Sequence, residues 1–215
     1  MSRLAIAGAG GFGRGLFGWV LSSPSFLETW GIEETVFIDD SEPKRELPAP
    51  VVSTIREFQP QEGDVVLVAV ADPRARSEIV ESLTLKGCRF ATFVDDRAVV
   101  NYGVRLGEGA VVCPGANIDT GAALGVHVHV NVNGCVGHDT VIGDFSTLSP
   151  GINIMGEVAV GREVFFGGSA AVLPRLSVGS LATVGAGALV RRPVGEEQTV
   201  VGNPARPLDA RGQRR

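Results

Sequence analysis

The 215-residue sequence is poor in histidine, cysteine and long apolar runs, and each shortage excludes a class of protein. No stretch reaches the roughly 18 apolar residues of a membrane span, and no signal-peptide pattern begins the chain. The three cysteines, Cys88, Cys113 and Cys135, include no CxxC pair, so we expect reduced thiols that pack as small apolar groups. The formal net charge of −5 gives no basis for nucleic-acid binding. We therefore expect a cytoplasmic protein.

The second half of the chain carries an unbroken six-residue repeat, in which every sixth position is aliphatic or Phe. Helices and ordinary strands cannot keep this period, because their side chains repeat about every 3.6 and every 2 residues. A parallel β-helix can, since each hexad forms one flat wall and the same slot points inward in every wall. The inward positions, called anchors below, are Val94, Val100, Leu106, Val112, Ile118, Leu124, Val130, Val136, Ile142, Leu148, Ile154, Val160, Phe166, Val172, Val178, Val184 and Val190.

Two further slots of the hexad support this fold. The residue four places after an anchor is mostly small, as in Ala110, Ala116 and Ala182, which suits a narrow, densely packed prism. The residue directly after an anchor is Gly at eight of seventeen positions, and Asn or Asp at four more. Because these residue types tolerate positive φ, we expect this slot to form the corners between walls. A sandwich of strands with chance periodicity would not produce agreement across three slots.

The N-terminal residues follow a different pattern, in which apolar strand-like runs alternate with helix-like segments. This βαβαβ order predicts a small parallel sheet flanked by helices, a Rossmann-like α/β domain. We therefore predict this domain at 1–93, an all-β domain of hexapeptide repeats at 94–208 and a flexible tail at 209–215. The predicted strands are 4–7, 36–38, 65–70 and 90–94, and the predicted helices run to Leu21 and from Pro73 to about Lys86.

A glycine-rich turn with the spacing Gly8-x-Gly10-x-x-Gly13 joins the first strand to the first helix. Free N–H groups at the helix N-terminus favour a phosphate there, although the same glycines also fit a tight turn that binds nothing. An acid after the second strand, Asp39 or Asp40, can bind a ribose hydroxyl. The hexads begin before a second nucleotide-binding half could form, so we favour a single nucleotide over a dinucleotide and expect no hydride chemistry.

Three histidines are present, and His138 is the one that stands out. It lies two places after an anchor, so we expect its imidazole to face solvent beside Asp139. Such a pair can act as a general base whose pKa and orientation the acid sets, or can be a surface feature without function. His127 and His129 offer two metal ligands, but zinc needs three or four convergent groups, so we expect no metal site.

These features together resemble one enzyme family. They are the glycine-rich βαβ start, the Phe-x-Asp-Asp segment at 37–40, the hexads, the Gly-His-Asp-x-x-Ile-Gly-Asp-Phe segment at 137–145 and the Val-Gly-Asn-Pro-Ala-Arg-Pro segment at 201–207. The resemblance is to the bacterial nucleotide-sugar acetyltransferases of the left-handed β-helix superfamily, the NeuD/PglD-like group. That group includes UDP-4-amino-sugar N-acetyltransferases and sialic acid O-acetyltransferases. The resemblance spans 1–208, and it is the family that implies the left hand of the coil.

The resemblance assigns roles residue by residue. His138 matches the catalytic base, Asp139 the acid that orients it, and Asn131 a polar residue of the same pocket. Many relatives carry His where this chain has Phe12 and Thr147. The positions that match nucleotide-sugar binding are Gly10, Gly11, Phe12, Gly13, Arg14, Asp39, Asp40, Ala69 and Val70. The positions that match the pantetheine groove of acetyl-CoA are Thr147, Gly156, Gly168 and Ala186.

The resemblance implies an acetyltransferase that uses acetyl-CoA and no metal. The acetyl group would pass directly to the amine of a nucleotide-linked 4-amino-4,6-dideoxy sugar, with sialic-acid-type O-acetylation as the alternative. It also implies a homotrimer, in which acetyl-CoA lies between neighbouring prisms. Two other classes stay open: a non-catalytic β-helix scaffold, and a metalloenzyme of the carbonic anhydrase type, for which the histidine spacing is wrong.

Overall fold

Four parallel strands form the sheet of the N-terminal unit, in a computed structural model that describes residues 2–42 and 45–208. The strands lie in the order β3-β2-β1-β4, so the chain leaves β1 towards one side and returns to place β4 on the other. Ligands of such sheets bind at the carboxyl ends of the strands that flank this reversal. The elements are β1 Ser2–Ala7, α1 Gly11–Leu21, α2 Pro24–Trp30, β2 Ile32–Ile38, β3 Val51–Ser53, β4 Val65–Val68, α3 Pro73–Leu85 and β5 Phe93–Val94.

The predicted helices and the predicted strands at 4–7 and 36–38 are confirmed. The predicted strand at 65–70 ends at Val68, and of the predicted strand at 90–94 only Phe93–Val94 is a strand, outside this sheet, while Phe90 forms a single bridge to Val66. Helix α2 and strand β3 were not predicted. Helix α2 carries usable signals, since Pro24 occupies its first turn and Gly31 ends it with a φ of 61°. Its seven residues are too few to show a periodic apolar pattern. Strand β3 has three residues and lies at the edge of the sheet, where only its main chain must match β2. At α3, Asp72 caps the helix by accepting a hydrogen bond from Ala75 N at 2.8 Å.

The second unit is a parallel β-helix built from two-residue strands. Each strand pairs with strands 18 residues before and after it, so three hexads make one coil and three sheets make the walls. The anchors are buried through most of this unit, with Val130, Val136, Leu148, Ile154 and Phe166 fully inaccessible. The strands are β6 Val99–Val100, β7 Arg105–Leu106, β8 Val111–Val112, β9 Asn117–Ile118, β10 Ala123–Leu124, β11 His129–Val130, β12 Cys135–Val136, β13 Val141–Ile142, β14 Thr147–Leu148, β15 Asn153–Ile154, β16 Ala159–Val160, β17 Phe165–Phe166, β18 Ala171–Val172, β19 Ser177–Val178, β20 Thr183–Val184, β21 Leu189–Val190, β22 Thr199–Val201 and β23 Arg206–Pro207.

Main-chain contacts divide the chain into Met1–Asp96 and Arg97–Arg215. This division falls three residues after the predicted boundary at 93. The predicted flexible tail, 209–215, lies outside the described residues. No helix in the described part of the chain is long and apolar enough to cross a membrane.

The prediction that the slot after each anchor adopts positive φ is wrong. Positive φ occurs two residues further on, as in Gly121, His127 and Asp139, with φ of 73°, 53° and 56°. Glycine follows the anchors for a different reason, which is close approach of the next coil. A methyl group on Gly137 would lie 2.6 Å from Gly156 N, and one on Gly143 would lie 2.5 Å from the carbonyl carbon of Gly161. Glycine therefore marks contact between successive coils, and the corner follows it.

The small slot four places after each anchor is buried as predicted, and at two positions it holds a hydroxyl. Thr140 Oγ1 donates to Met155 O at 2.9 Å and accepts from Val158 N at 3.3 Å. Ser146 does the same one corner later, donating to Gly161 O at 3.0 Å and accepting from Val164 N at 3.1 Å. Each hydroxyl thus satisfies both ends of a turn in the next coil, which offsets its own burial.

The three cysteines are free thiols, as expected. Cys88 and Cys113 are buried and Cys135 is half-buried. Burial raises the pKa of Cys88 and of Cys135 above the ordinary thiol value. Raised pKa values keep these groups as unreactive thiols near neutral pH.

Candidate active site

The glycine-rich turn lies at the carboxyl end of β1, and its glycines serve different purposes. Gly8 has a φ of 105°, and a methyl group there would lie 3.1 Å from Ala69 O. A methyl group on Gly13 would overlap the carbonyl oxygen of Gly8. These two glycines are required because the helix packs closely on the strand end. Gly10 and Gly11 instead face open space, with no atom within 4 Å of an added methyl group, so a ligand can approach their main chain.

Asp39 ties the end of β2 to this turn. Its Oδ2 accepts from Ala9 N at 2.6 Å, and its Oδ1 accepts from Ser41 N at 2.8 Å and from Ser41 Oγ at 2.7 Å. Partial burial raises the pKa of Asp39. The hydrogen bonds from Ala9 and Ser41 together lower it by more than burial raises it, so the pKa lies below its ordinary value. The carboxylate therefore holds the turn in shape and still has lone pairs for a ribose hydroxyl.

A cavity of about 430 Å³ opens between the turn and the segment after β2. It has the size of a small-ligand site, and Arg14 and Arg45 give it cationic groups suited to phosphate. Four predicted positions line it, and Arg45 and Glu42 join them without having been predicted, because no motif marks the loop that carries them. The lining residues are Ala9, Gly10, Gly11, Arg14, Asp39, Ser41, Glu42, Arg45 and Leu47.

The other predicted nucleotide-binding positions do not line this cavity. Phe12 packs edge-on against Trp19, with ring centroids 6.1 Å apart. Asp40 pairs with Arg56, whose Nε lies 3.4 Å from Oδ2. Ala69 follows β4 and donates its N–H to Ala7 O at 2.7 Å. Gly13 packs against the carbonyl oxygen of Gly8.

Arg76 supports the loop after β4, which includes the predicted Val70. It is fully buried, and its Nη1 donates to Val70 O at 2.6 Å and to Ala71 O at 3.3 Å. Sequence reasoning missed it because an arginine in a helix resembles a solvent-exposed residue until the packing is known. It is a positioning residue for this end of the sheet.

His138 and Asp139 form the turn after β12, on one corner of the β-helix. His138 Nδ1 lies 3.0 Å from Asp139 Oδ2, and both side chains are more than half exposed, as predicted. If Nδ1–H donates to the carboxylate, Nε2 carries the free lone pair and can take a proton. The hydrogen bond to Asp139 raises the pKa of His138 above its ordinary value, and the nearby charges of Asp119 and Glu157 add to this effect.

Gly156 lies one coil further along the same corner and leaves room for the imidazole. A methyl group on Gly156 would overlap Nε2 of His138 and would lie 2.7 Å from Cε1. On the preceding coil, a methyl group on Gly121 would lie 2.7 Å from Oδ1 of Asp139. The histidine–aspartate pair is thus held between two glycines of neighbouring coils. The structure brings the predicted Gly156 to the predicted base.

The remaining predicted positions lie elsewhere on the β-helix. Asn131 follows β11, where its Oδ1 accepts from Val132 N at 2.8 Å, so one wall separates it from His138 within a chain. Gly168 and Ala186 occupy the same corner as Asn131, two and three coils further along. Thr147 lies on β14 and is buried. The cofactor positions therefore do not form one groove within a single chain, and their roles stay predictions.

His127 and His129 are both buried, and His127 stacks on Phe145 with ring centroids 5.4 Å apart. Within residues 2–42 and 45–208, no group of three or more His, Cys, Asp and Glu side chains is placed to hold a metal ion.

Comparison with known proteins identifies relatives of both units. A family model described as the PglD N-terminal domain matches residues 3–83. GDP-perosamine N-acetyltransferase of Escherichia coli O157:H7 is 30% identical over 218 aligned residues, which cover 97% of each protein. The acetyltransferase domain of PglB from Neisseria gonorrhoeae FA1090, solved with acetyl coenzyme A, is 32% identical with a TM-score of 0.84, over 96% of this chain and 98% of that one. PerB from Caulobacter crescentus, solved with CoA and GDP-perosamine, is 28% identical with a TM-score of 0.84, over 97% and 98%.

In this chain a β-helix of hexapeptide repeats follows an α/β unit in sequence, and the relatives match it over nearly the full length. These features define an acyltransferase of the hexapeptide-repeat superfamily. The chain belongs to the family of nucleotide-sugar N-acetyltransferases that includes GDP-perosamine N-acetyltransferase. This confirms the resemblance seen in the sequence.

Proposed function

We propose that the protein transfers the acetyl group of acetyl-CoA to the amine of a nucleotide-linked 4-amino-4,6-dideoxy sugar, with His138 as general base. The observation that carries the proposal is the 3.0 Å contact between His138 Nδ1 and Asp139 Oδ2, which leaves Nε2 on the side of the ring that faces Gly156, in a side chain that is more than half exposed. The relatives support the chemistry, since PglB was solved with acetyl coenzyme A and PerB with CoA and GDP-perosamine.

The reaction needs one base and no covalent enzyme intermediate. The sugar amine attacks the thioester carbonyl while His138 Nε2 accepts the proton that the amine loses. The tetrahedral intermediate then collapses, the carbon–sulfur bond breaks and the imidazolium returns the proton to the departing sulfur. The carboxylate of Asp139 stabilises the imidazolium. Its hydrogen bond also fixes the ring orientation, so that the proton moves at Nε2.

The N-terminal unit supplies recognition of the nucleotide in this proposal. The open main chain at Gly10 and Gly11 and the guanidinium of Arg14 suit a diphosphate, and Asp39 suits the ribose. The cavity of about 430 Å³ has the size of a small-ligand site, which suits the nucleotide part of such a substrate.

An acceptor screen with detection by mass tests the proposal. The protein is incubated with acetyl-CoA and GDP- or UDP-linked 4-amino-4,6-dideoxy sugars, their 4-hydroxy counterparts and free sialic acid, and products are examined for one added acetyl group. We expect acetylation of an amino sugar by the wild type and a loss of about 10²–10⁴-fold in kcat for His138→Ala. Acetylation of hydroxyl acceptors alone would replace this proposal with O-acetylation. Equal rates for wild type and His138→Ala would remove His138 as the base.

A further inference from the structure

Three charged residues occupy one column of turns at the corner that carries the proposed base. Asp139, Glu157 and Arg175 take the same turn position in successive coils, with φ of 56°, 59° and 61°. Main-chain hydrogen bonds fix this stacking, because Glu157 N donates to His138 O at 2.9 Å and Arg175 N donates to Gly156 O at 3.1 Å. Neighbouring coils lie about 4.8 Å apart at the usual spacing of strands. Glu157 is therefore one coil from the His138–Asp139 pair, and Arg175 is two coils from it.

The carboxylate of Glu157 is bonded to Arg175 and not to the imidazole. Arg175 Nε donates to Glu157 Oε1 at 3.0 Å. The hydrogen bond that raises the pKa of His138 is the one to Asp139, whereas Glu157 raises this pKa through its charge alone. The side chain of Glu157 thus extends towards the following coil, and the Nε2 side of the imidazole lies against Gly156.

The ion pair between Arg175 and Glu157 contributes little to folding, because both side chains reach water. They are 77% and 44% exposed, and ion pairs between side chains this exposed add little to the free energy of unfolding. A carboxylate one coil from the imidazole has a larger effect on the ring itself, since negative charge stabilises the protonated form, which cannot accept a proton. The pair therefore matters for the base more than for the fold.

The charged groups around His138 are mostly acidic. Asp119 lies on the coil before it, Asp139 on its own turn and Glu157 on the coil after it, and each raises the pKa of the imidazole. Arg175 is the cation that follows them in the column. Its guanidinium offsets the carboxylate that it binds, so the imidazole experiences less negative charge than three acids would produce.

We propose that Arg175 is a positioning residue for the reaction, which holds the carboxylate of Glu157 away from Nε2 of His138 and neutralises it. The inference rests on the proposed function, in which His138 is the base. Glu157 directly follows Gly156, and Gly156 lies against Nε2, so a Glu157 side chain released by Arg175 can turn back towards the ring. A carboxylate at that place would accept a hydrogen bond from protonated Nε2, keep the proton on the ring and occupy the space of the attacking amine.

Proton NMR titration of the full-length protein tests the inference without any substrate. The sequence has three histidines, of which His127 and His129 are buried, and a His138→Gln sample identifies the signal of the exposed imidazole. We expect its titration midpoint to rise by about 0.3–0.5 pH unit in Arg175→Gln and to fall by a similar amount in Glu157→Gln. In Glu157→Gln/Arg175→Gln both charges are absent, so the midpoint should return close to that of the wild type. High salt should reduce both shifts.

The pH profile of kcat/KM follows the same group during the reaction. At pH 6, kcat/KM of Arg175→Gln should fall about two- to threefold, because less of the base is neutral, and it should recover at high pH. The added substitution Glu157→Gln should restore it at pH 6. Arg162→Gln is the matched control, since it removes a cation from an ion pair with Glu163 at another corner and should keep the wild-type midpoint and profile.

The outcomes separate the inference from the proposed function. If the wild type acetylates an amino sugar through His138 while both single variants keep the wild-type midpoint, the inference is overturned and the proposed function stands. Shifts of Arg175→Gln and Glu157→Gln in the same direction, or a double variant that keeps the shift of Arg175→Gln, would show a structural disturbance and also overturn it. If the midpoints shift as expected but the wild type acetylates no acceptor, the proposed function fails and the effect of Arg175 on His138 remains.

Discussion

The imidazole of His138 lies against the α-carbon of Gly156, the residue 18 positions further along the chain. The contact arises because each coil stacks its turns directly on those of the coil before, so that a side chain at one turn lies over the backbone of the next. The space for the proposed base is thus set by a residue that is remote in sequence and carries no functional group.

Replacing Gly156 with Ala should impair catalysis more than folding. The added methyl group meets only an exposed ring that can rotate away, so we expect little change in Tm. Rotation would misplace Nε2, and kcat/KM for acetyl transfer should fall by roughly a hundredfold. Gly195→Ala is the matched control, because its nearest neighbour atom lies 3.8 Å from an added methyl group. Unchanged kcat/KM in Gly156→Ala would contradict the role of His138.

The pH dependence of kcat/KM should report the raised pKa of His138. The base must be neutral to accept a proton, and a raised pKa keeps it protonated to higher pH. Activity should therefore be lost, as pH falls, at a value above the ordinary histidine pKa of 6.5. In Asp139→Asn this loss should move to lower pH, because the hydrogen bond that raises the pKa is weakened, and the plateau should drop as ring orientation is lost. Glu196 is an exposed residue at another corner, and the Glu196→Gln variant should keep the pH profile of the wild type. An Asp139→Asn profile that matches the wild type would exclude the pair as a unit.

The glycine turn of the N-terminal unit can be dissected with two alanine substitutions. Gly13→Ala would drive a methyl group into the Gly8 carbonyl, and we expect a loss of about 1–3 kcal/mol or more in unfolding free energy. Gly10→Ala meets open space and should leave stability nearly unchanged, yet weaken binding of the nucleotide part of the substrate. Chemical denaturation and nucleotide titration of both variants provide the test. Tight nucleotide binding by Gly10→Ala would show that no ligand approaches this main chain.

The hydroxyl of Thr140 should stabilise the fold, because it bonds the turn of the next coil. Its hydroxyl bonds both Met155 O and Val158 N, and the turn between them contains Gly156. Thr140→Val keeps the shape and leaves two buried main-chain groups unsatisfied, so we expect a loss of about 1–3 kcal/mol in unfolding free energy. Thr140→Ser retains the hydroxyl and should restore most of that loss. Equal stability of the two variants would mean that the hydroxyl contributes nothing.

A homotrimer should depend on the wall next to the His138 corner. Val141 on β13 is 52% exposed and lies between the small residues Ala123 and Ala159 in register, which makes a flat, apolar strip suited to another copy of the chain. We expect light scattering to give a trimer for the wild type and a smaller species for Val141→Glu. Val52→Glu, at a site 44% exposed in the N-terminal unit, should stay trimeric. A monomeric, fully active wild type would refute the assembly.

The sequence predicts the β-helix and most of its anchors, because burial of one slot in six is imposed on the stacked coils. Val100, in the first coil, is an exception, since it is 39% exposed. The sequence places positive φ two residues too early, since glycine is selected there by contact with the next coil, and one sequence cannot distinguish crowding from backbone conformation. His138 and Gly156 were both predicted, but their contact depends on the 18-residue stacking. Arg45 and Arg76 were missed, because their positions in the site come from packing and carry no local motif.

The register of the β-helix also limits how the chain can change in length. Within the stacked coils, an insertion or deletion that is not a whole coil would rotate every later side chain to a different wall. Removal of 18 residues, in contrast, preserves all walls, because each later strand then pairs with the strand one coil earlier on the same wall. We therefore expect homologous chains to gain or lose entire coils, while shorter changes are confined to the end of the prism, where the Val178–Val194 pairing already departs from the common spacing.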